Sequence, residues 1–366
     1  MKVSFLELVF DEKLQSSINE SILRISNSSN YIGGKEIEFF EKEYAKFLNL
    51  KEAIAVGNGY DALVLSLKVL GISSGDEVLV PSNTFIATWL AIVSIGAKPI
   101  PVEPIERTYN IDYTKIEKLI SKKTKAIIPV HLYGQPCNLD PIISIAKKHN
   151  IKVIEDAAQA HGAKYKGEHI GAHGDLVAWS FYPGKNLGAY GDAGAITTNN
   201  LRIAKKLRLM RNYGSEIKYK NDVIGVNSRM DSLQATVLRK KLKKLRSWNK
   251  KRNLIANFYK DHLSGLDLIL PFTEKWAEPV WHLFCVRHPK RNFLIEKLKK
   301  RGIETLIHYP IAPHEQKAFK YLNLSKKYPL TEKISKELLS LPIGPHLNEK
   351  KCEYVCNNLK KILKTI

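Results

Sequence analysis

Three short segments carry residue types whose chemistries complement one another. In the first, Gly57-Asn58-Gly59-Tyr60-Asp61 follows an apolar run and opens a helical stretch. Glycines let the backbone approach a ligand closely, and free N–H groups at a helix start attract an anion such as phosphate. The same residues also make an ordinary strand-to-helix turn, and their spacing matches neither the dinucleotide fingerprint nor the P-loop. In the second, VIEDAAQAHGA, Asp156 stands at the carboxyl end of an apolar run, with Gln159 and His161 just beyond it. A carboxylate there could hold a cation, a metal ion or a protonated ring nitrogen, and it could equally cap the Ala-rich segment that follows. The third, SFYPGKNLGAYGDAGAI, delivers Ser180, turns at Pro183-Gly184 and presents Lys185. One lysine in so basic a chain says little by itself. The glycines and proline around it describe a positioned loop.

Taken together, a phosphate-binding helix start, a carboxylate at a strand end and a lysine in a later loop are the three anchors that pyridoxal phosphate (PLP) requires. The lysine forms a Schiff base with the cofactor, and the carboxylate stabilises the protonated pyridine nitrogen so that the ring acts as an electron sink.

Such anchors need a scaffold, and the chain reads as one. Short apolar runs at 53–56, 77–81, 99–103, 126–130, 152–156, 177–181 and 195–198 alternate with helical stretches such as 61–70, 84–95 and 139–149. An amphipathic helix with Ile37, Phe40, Tyr44 and Phe47 on one face precedes them. Strand and helix in alternation predict an α/β fold, a mostly parallel sheet covered on both faces, with ligands at the carboxyl ends of its strands. From Met230 one long helical stretch takes over, with Leu238, Leu242 and Leu245 on a stripe. The domain change is placed inside it, giving a large domain over 1–245 and a small α+β domain over 246–366, where HLFCVRHP, LIHYP and LLSLP read as strands.

The 366 residues are 44% hydrophobic and 26% charged, which excludes disorder as the main state. No apolar run approaches the ~18 residues of a membrane span, and Glu7 interrupts the opening, so a cytoplasmic chain without a membrane partner is expected. The formal charge of +22 favours acidic partners, whether nucleic acid, anionic membrane or phosphorylated small molecules. The basic run Arg239 to Arg252 reads as a solvated helix face rather than a nucleic-acid contact, because the leucine stripe shows that the helix is packed. Cys352 and Cys356, one turn apart with Val355 and Leu359, read as core, and no metal site is expected.

The order and context of these segments resemble the PLP-dependent sugar aminotransferases of the DegT/DnrJ/EryC1/StrS family over nearly the whole chain. The motifs are GNGYDAL, VPSNTFIAT, IEDAAQAHGA, SFYPGKNLGAYGDAGA, GVNSRMDSLQA and LIHYPIAPHEQ. The resemblance implies the aspartate-aminotransferase-like fold of type I PLP enzymes. It implies Lys185 as the Schiff-base lysine and proton shuttle, Asp156 at the pyridine nitrogen, and Gln159 near the ring hydroxyl. Phe85 would stack on the ring, while Ser180 and the backbone of Gly59 and Tyr60 would hold the phosphate. Asn227 would reach the phosphate of a neighbouring subunit, making a homodimer with shared active sites. Two departures stand out: Tyr60 where the family commonly has Thr, and GDAG at 191–194 in place of the commoner G-E-G-G. Relatives that dehydrate sugars carry His at the position of Lys185, so its presence favours amino transfer. Tyr182, His308 and Tyr309 resemble the sugar pocket of enzymes acting on dTDP-3-keto-6-deoxyhexoses, with L-glutamate as the usual donor. The alternatives are a 4-keto sugar aminotransferase using UDP- or GDP-linked substrates, and a PLP-binding regulator that contacts nucleic acid.

Overall fold

The computed structural model describes residues 1–9, 11–171, 173–324 and 328–365. Seven strands form the central sheet: β1 (Glu52–Val56), β2 (Glu77–Pro81), β3 (Lys98–Val102), β4 (Thr124–Ile127), β5 (Lys152–Asp156), β6 (Leu176–Ser180) and β7 (Gly194–Thr198). Their spatial order is β1-β7-β6-β5-β4-β2-β3. Only β7 runs against its neighbours, so the other six point their carboxyl ends to one edge.

Because side chains alternate along a strand, each strand feeds two cores. Ala53, Ala55, Leu79, Val153 and Val177 face one layer, packed against helices α2 (Lys35–Leu48), α5 (Leu139–His149) and the first half of α7 (Ser232–Leu263). Ile54, Val56, Val78, Val80, Ile154 and Ala178 face the other, packed against α3 (Gly59–Val69), α4 (Ile86–Ser94) and α6 (Leu201–Met210). Burial on both faces explains why the strands read as continuous apolar runs. The seven expected runs all become strands, to within a few residues at each end.

A further core gathers the second half of α7, the antiparallel pair Phe284–Arg287 and Leu338–Leu341, and helices α8 (Arg291–Lys300) and α9 (Glu349–Leu363). Cys352 and Cys356 are buried in it. So is Val3, whose backbone bonds to Gly302 and Glu304 at 2.8 and 3.0 Å, tying the start of the chain to this C-terminal core.

Two elements differ from expectation. Glu12–Ser28 forms helix α1, which the sequence reading leaves unassigned; it buries only Ile18, Ser21 and Ile25, too narrow a stripe to stand out among polar residues. LIHYP is not a strand. Its backbone makes one bridge, Leu306 to Ser340, and is otherwise committed elsewhere: the His308 carbonyl accepts from the Tyr133 hydroxyl at 2.5 Å.

The basic run of α7 is divided: Lys243, Lys244, Arg246, Lys250 and Lys251 are exposed, as a solvated face requires, and others are used internally. Arg239 pairs with Glu36 and Glu43, each at 2.6 Å. Lys241 Nζ donates to the Gly188 carbonyl at 2.8 Å, and Arg252 donates to the carbonyls of Trp281 and Ile343 at 3.0 and 3.1 Å. Among the described residues no helix is long and apolar enough to cross a membrane.

Candidate active site

A cleft of about 1100 Å³ opens at the carboxyl edge of the sheet and gathers Gly59, Tyr60, Phe85, Asp156, Gln159, Ser180, Tyr182, Lys185, His308 and Tyr309. Ten of the eleven residues singled out from the sequence therefore line one space. The eleventh, Asn227, does not line it; this exposed residue lies on a segment bridged to Asn212.

At the floor, β5 ends in Asp156, only 6% exposed. Its Oδ2 accepts from the Thr88 hydroxyl at 2.9 Å and its Oδ1 from the Ala158 N–H at 3.1 Å, so each oxygen keeps a free lone pair. Burial pushes this carboxyl above its ordinary value, opposed by the Ala158 N–H, the Thr88 hydroxyl and the Lys185 charge. A carboxylate short of solvent in this way gains most from a positively charged N–H.

Beside it, β6 ends in Ser180. His161 fixes the backbone there: its Nε2–H donates to the Ser180 carbonyl at 2.8 Å, while Nδ1 accepts from the Tyr44 hydroxyl at 2.9 Å. Burial holds this imidazole down at about 3, so it stays neutral. Across from Ser180, α3 begins. The Asn58 side chain caps it by accepting from Asp61 N–H at 2.8 Å, which leaves the earlier N–H groups free. Gly59 sits so close that a Cβ on it would lie 2.5 Å from the Ser180 Cβ. Only glycine fits there, and the helix start is pressed against the serine.

Lys185 is held from both sides of its loop. Its N–H donates to the Tyr182 carbonyl at 2.8 Å, Lys241 grips the Gly188 carbonyl, and the neighbouring Asn186 is locked by Asn249 and Val280. Burial lowers the Lys185 amine to about 8, with Asp156 resisting. The free amine, the form that attacks an aldehyde, is therefore still a minority near neutral pH but far more abundant than at the ordinary lysine value.

The outer wall is made of irregular segments. Tyr309 accepts from Gln159 Nε2 at 3.0 Å and its ring lies 5.2 Å from that of Phe85. His308 bonds through Nδ1 to Ser340 Oγ at 2.8 Å, and burial lowers it to about 4. Tyr182 is 59% exposed at the mouth. The sequence reading passes over Thr88, Tyr133, Phe5 and His282. Tyr133 N–H donates to Gln159 Oε1 at 2.6 Å, and Phe5 stacks on His308 at 5.8 Å. Thr88 was legible in principle, lying in the first turn of α4 four residues after Thr84, whose hydroxyl it meets at 3.0 Å; the others are brought in by tertiary contacts alone.

The donor set fits PLP. A buried carboxylate with spare lone pairs, a lysine amine near 8, and a helix start packed on a serine face one cleft. Among the described residues no group of three or more His, Cys, Asp or Glu side chains is arranged around a metal ion.

The DegT/DnrJ/EryC1/StrS aminotransferase family model matches residues 12–360. A dTDP-3-amino-3,6-dideoxy-alpha-D-galactopyranose transaminase of Aneurinibacillus thermoaerophilus is 48% identical, over 96% of this chain and 97% of its own. A dTDP-3-amino-3,4,6-trideoxy-alpha-D-glucose transaminase of Streptomyces venezuelae is 45% identical, over 94% and 92%. The crystal structure of S. venezuelae DesV in complex with a ketimine intermediate superposes with a TM-score of 0.97 at 44% identity, covering 100% of this chain and 99% of that one. NtdA from Bacillus subtilis, with bound cofactor PMP, superposes with a TM-score of 0.93 at 33% identity, covering 99% and 85%. The chain belongs to the DegT/DnrJ/EryC1/StrS aminotransferase family.

Proposed function

We propose that the protein is a PLP-dependent sugar nucleotide aminotransferase. It takes the amino group of L-glutamate, releasing 2-oxoglutarate, and passes it to a dTDP-3-keto-6-deoxyhexose, giving the dTDP-3-amino-3,6-dideoxyhexose. The observation that carries the reading is the convergence of the Asp156 carboxylate and the Lys185 amine on one cleft, at strand-end and loop positions matching the family's motifs. Relatives whose names place the amine at C3 favour that carbon over C4.

Bound PLP supplies an aldehyde that captures amines and a ring that accepts the electron pair released when a neighbouring C–H bond breaks. The chain's residues supply the rest. Asp156 would hold the ring nitrogen through its spare lone pairs, and Gln159 would serve the ring hydroxyl. Gly59 and Tyr60 offer backbone N–H groups, and Ser180 its hydroxyl, to the phosphate. Phe85 covers the ring face. Lys185 Nζ takes the proton from one carbon and returns it to the other, a task suited to an amine near 8. Tyr182, His308 and Tyr309 hold the sugar. Asn227, exposed and outside its own cleft, serves the phosphate of a second copy, which makes the enzyme a homodimer with shared sites. The large domain runs over 1–245 and the small one over 246–366, and the enzyme works in the cytoplasm.

The test offers C3-keto and C4-keto sugar nucleotides side by side with L-glutamate, reading 2-oxoglutarate release and the position of the new amine by NMR. Amination at C3 with matching 2-oxoglutarate is expected. Amination at C4 alone would overturn the regiochemistry, and no 2-oxoglutarate with either would overturn the reaction class. For a nucleic-acid role of Arg239 to Arg252, Arg239, Lys241 and Arg252 are already engaged inside the molecule, which leaves Lys243, Lys244, Arg246, Lys250 and Lys251 exposed.

A further inference from the structure

His282 lines the cleft, yet none of the roles above uses it. Its surroundings fix which of its nitrogens carries hydrogen. Asn186, next to Lys185, reaches the Val280 carbonyl at 2.9 Å and Asn249 Oδ1 at 3.1 Å with one end of its amide. A backbone carbonyl only accepts, so that end is the NH2 and the other is the oxygen. The oxygen lies 3.2 Å from His282 Nδ1, which must therefore be the N–H. Asn249 is itself fixed by donating to the His161 carbonyl at 2.8 Å. The tautomer is thus imposed by a chain of buried amides and leaves Nε2 as a bare lone pair.

That lone pair is unused. Nε2 has no hydrogen-bond partner among the described residues, and it is not one of the side-chain atoms sealed from solvent without a bond. The ring borders the cleft, and with Nδ1 turned to Asn186, Nε2 is the ring nitrogen left for it. Burial, followed by the charges of Lys185 and Arg252, holds the imidazole well below its ordinary value. The ring therefore stays neutral, with Nε2 able to accept a hydrogen bond.

We infer that His282 Nε2 accepts a hydrogen bond from a sugar hydroxyl on a carbon next to the reacting carbonyl, making His282 a specificity-determining contact. The inference rests on the aminotransferase reading. Of the two substrates the sugar is the one that fits: the donor's carboxylates are repelled by a lone pair, and its one amine must face the cofactor. A ring hydroxyl is a neutral donor that meets an acceptor held in place in advance.

The test uses the PLP-loaded enzyme and unreactive sugar nucleotides that carry a hydroxyl in place of the ketone. Their dissociation constants are measured by calorimetry for the fully hydroxylated sugar and for analogues deoxygenated at either neighbouring carbon. The wild type is expected to favour the hydroxylated sugar over one of the two analogues by about 10-fold, the usual worth of one buried hydrogen bond. His282→Leu should abolish that preference, and His282→Gln, which keeps an acceptor, should restore part of it. In parallel, His282→Leu should slow the half-reaction with keto sugar about 10-fold more than the half-reaction with L-glutamate. If the wild type shows no such preference, if it persists in His282→Leu, or if both half-reactions slow equally, the contact does not exist. If the wild type itself fails to react with L-glutamate, the aminotransferase reading fails first, a distinct result.

Discussion

At the floor of the cleft Asp156 and Ser180 stand on the last residues of two adjacent parallel strands, whereas at the outer wall His282, His308 and Tyr309 stand on segments without a ladder of their own. The floor inherits its geometry from a sheet buried on both faces, so its side chains cannot move without moving the fold. The wall is held by single side-chain bonds, Tyr133 to His308, Gln159 to Tyr309 and Asn186 to His282, each worth about 1 kcal/mol. A fixed floor suits a cofactor that stays the same across a family. A wall assembled from replaceable bonds suits a substrate that differs from one relative to the next.

The contrast breaks most visibly at Lys185. Lys185→Ala should leave a folded protein whose turnover falls by ~10³-fold or more, since nucleophile and proton shuttle are lost together; steady-state 2-oxoglutarate release checks this, and retained multiple turnover would contradict it. Asp156→Asn keeps the Thr88 bond but removes the charge facing the ring nitrogen. A charge-assisted bond of about 1.5 to 3 kcal/mol corresponds to about 10- to 100-fold, to be seen in both PLP affinity and kcat. Gly59→Ala forces a Cβ to within 2.5 Å of Ser180. Overpacking there should cost about 1 to 3 kcal/mol in urea unfolding and weaken PLP binding, while Gly33→Ala, open around its Cβ but at φ +75°, should leave PLP binding alone.

Wall substitutions should be milder and fall on one substrate. Tyr133→Phe frees the His308 carbonyl and should weaken keto sugar turnover about 5-fold, with a smaller effect on the L-glutamate half-reaction. Equal loss in both would show that Tyr133 supports the floor as well.

How much of this was legible in the sequence follows the same division. Asp156, Ser180 and Gly59 could be found because a strand end and a helix start are local events, marked by an apolar run and then a change of residue type. The strands themselves were legible because burial on both faces makes them continuously apolar. Helix α1 carries no clear signal because it buries one narrow stripe, and LIHYP reads as a strand because it is apolar, although Leu306 is exposed at the cleft and makes only a single bridge to Ser340. His282 carries no local mark at all: the tautomer that makes it an acceptor is set by Asn186, 96 positions away.

A further effect is electrostatic. Between about 8 and 10.5 the unfolded chain keeps a proton that the folded Lys185 amine has released. The stability of the cofactor-free protein therefore rises with pH through that window. Thermal unfolding of wild type against Lys185→Met should show the wild type gaining on the variant as pH rises, and a difference independent of pH would mean that Lys185 is not desolvated.

The central claim, that Lys185 and Asp156 together make a PLP-dependent aminotransferase, is met most directly by the visible spectrum of the purified protein with PLP, before and after L-glutamate. The account predicts a yellow band that L-glutamate replaces with the near-ultraviolet absorbance of the aminated cofactor, and that a keto sugar nucleotide then restores. No band in the wild type, or a band indifferent to L-glutamate, would contradict it.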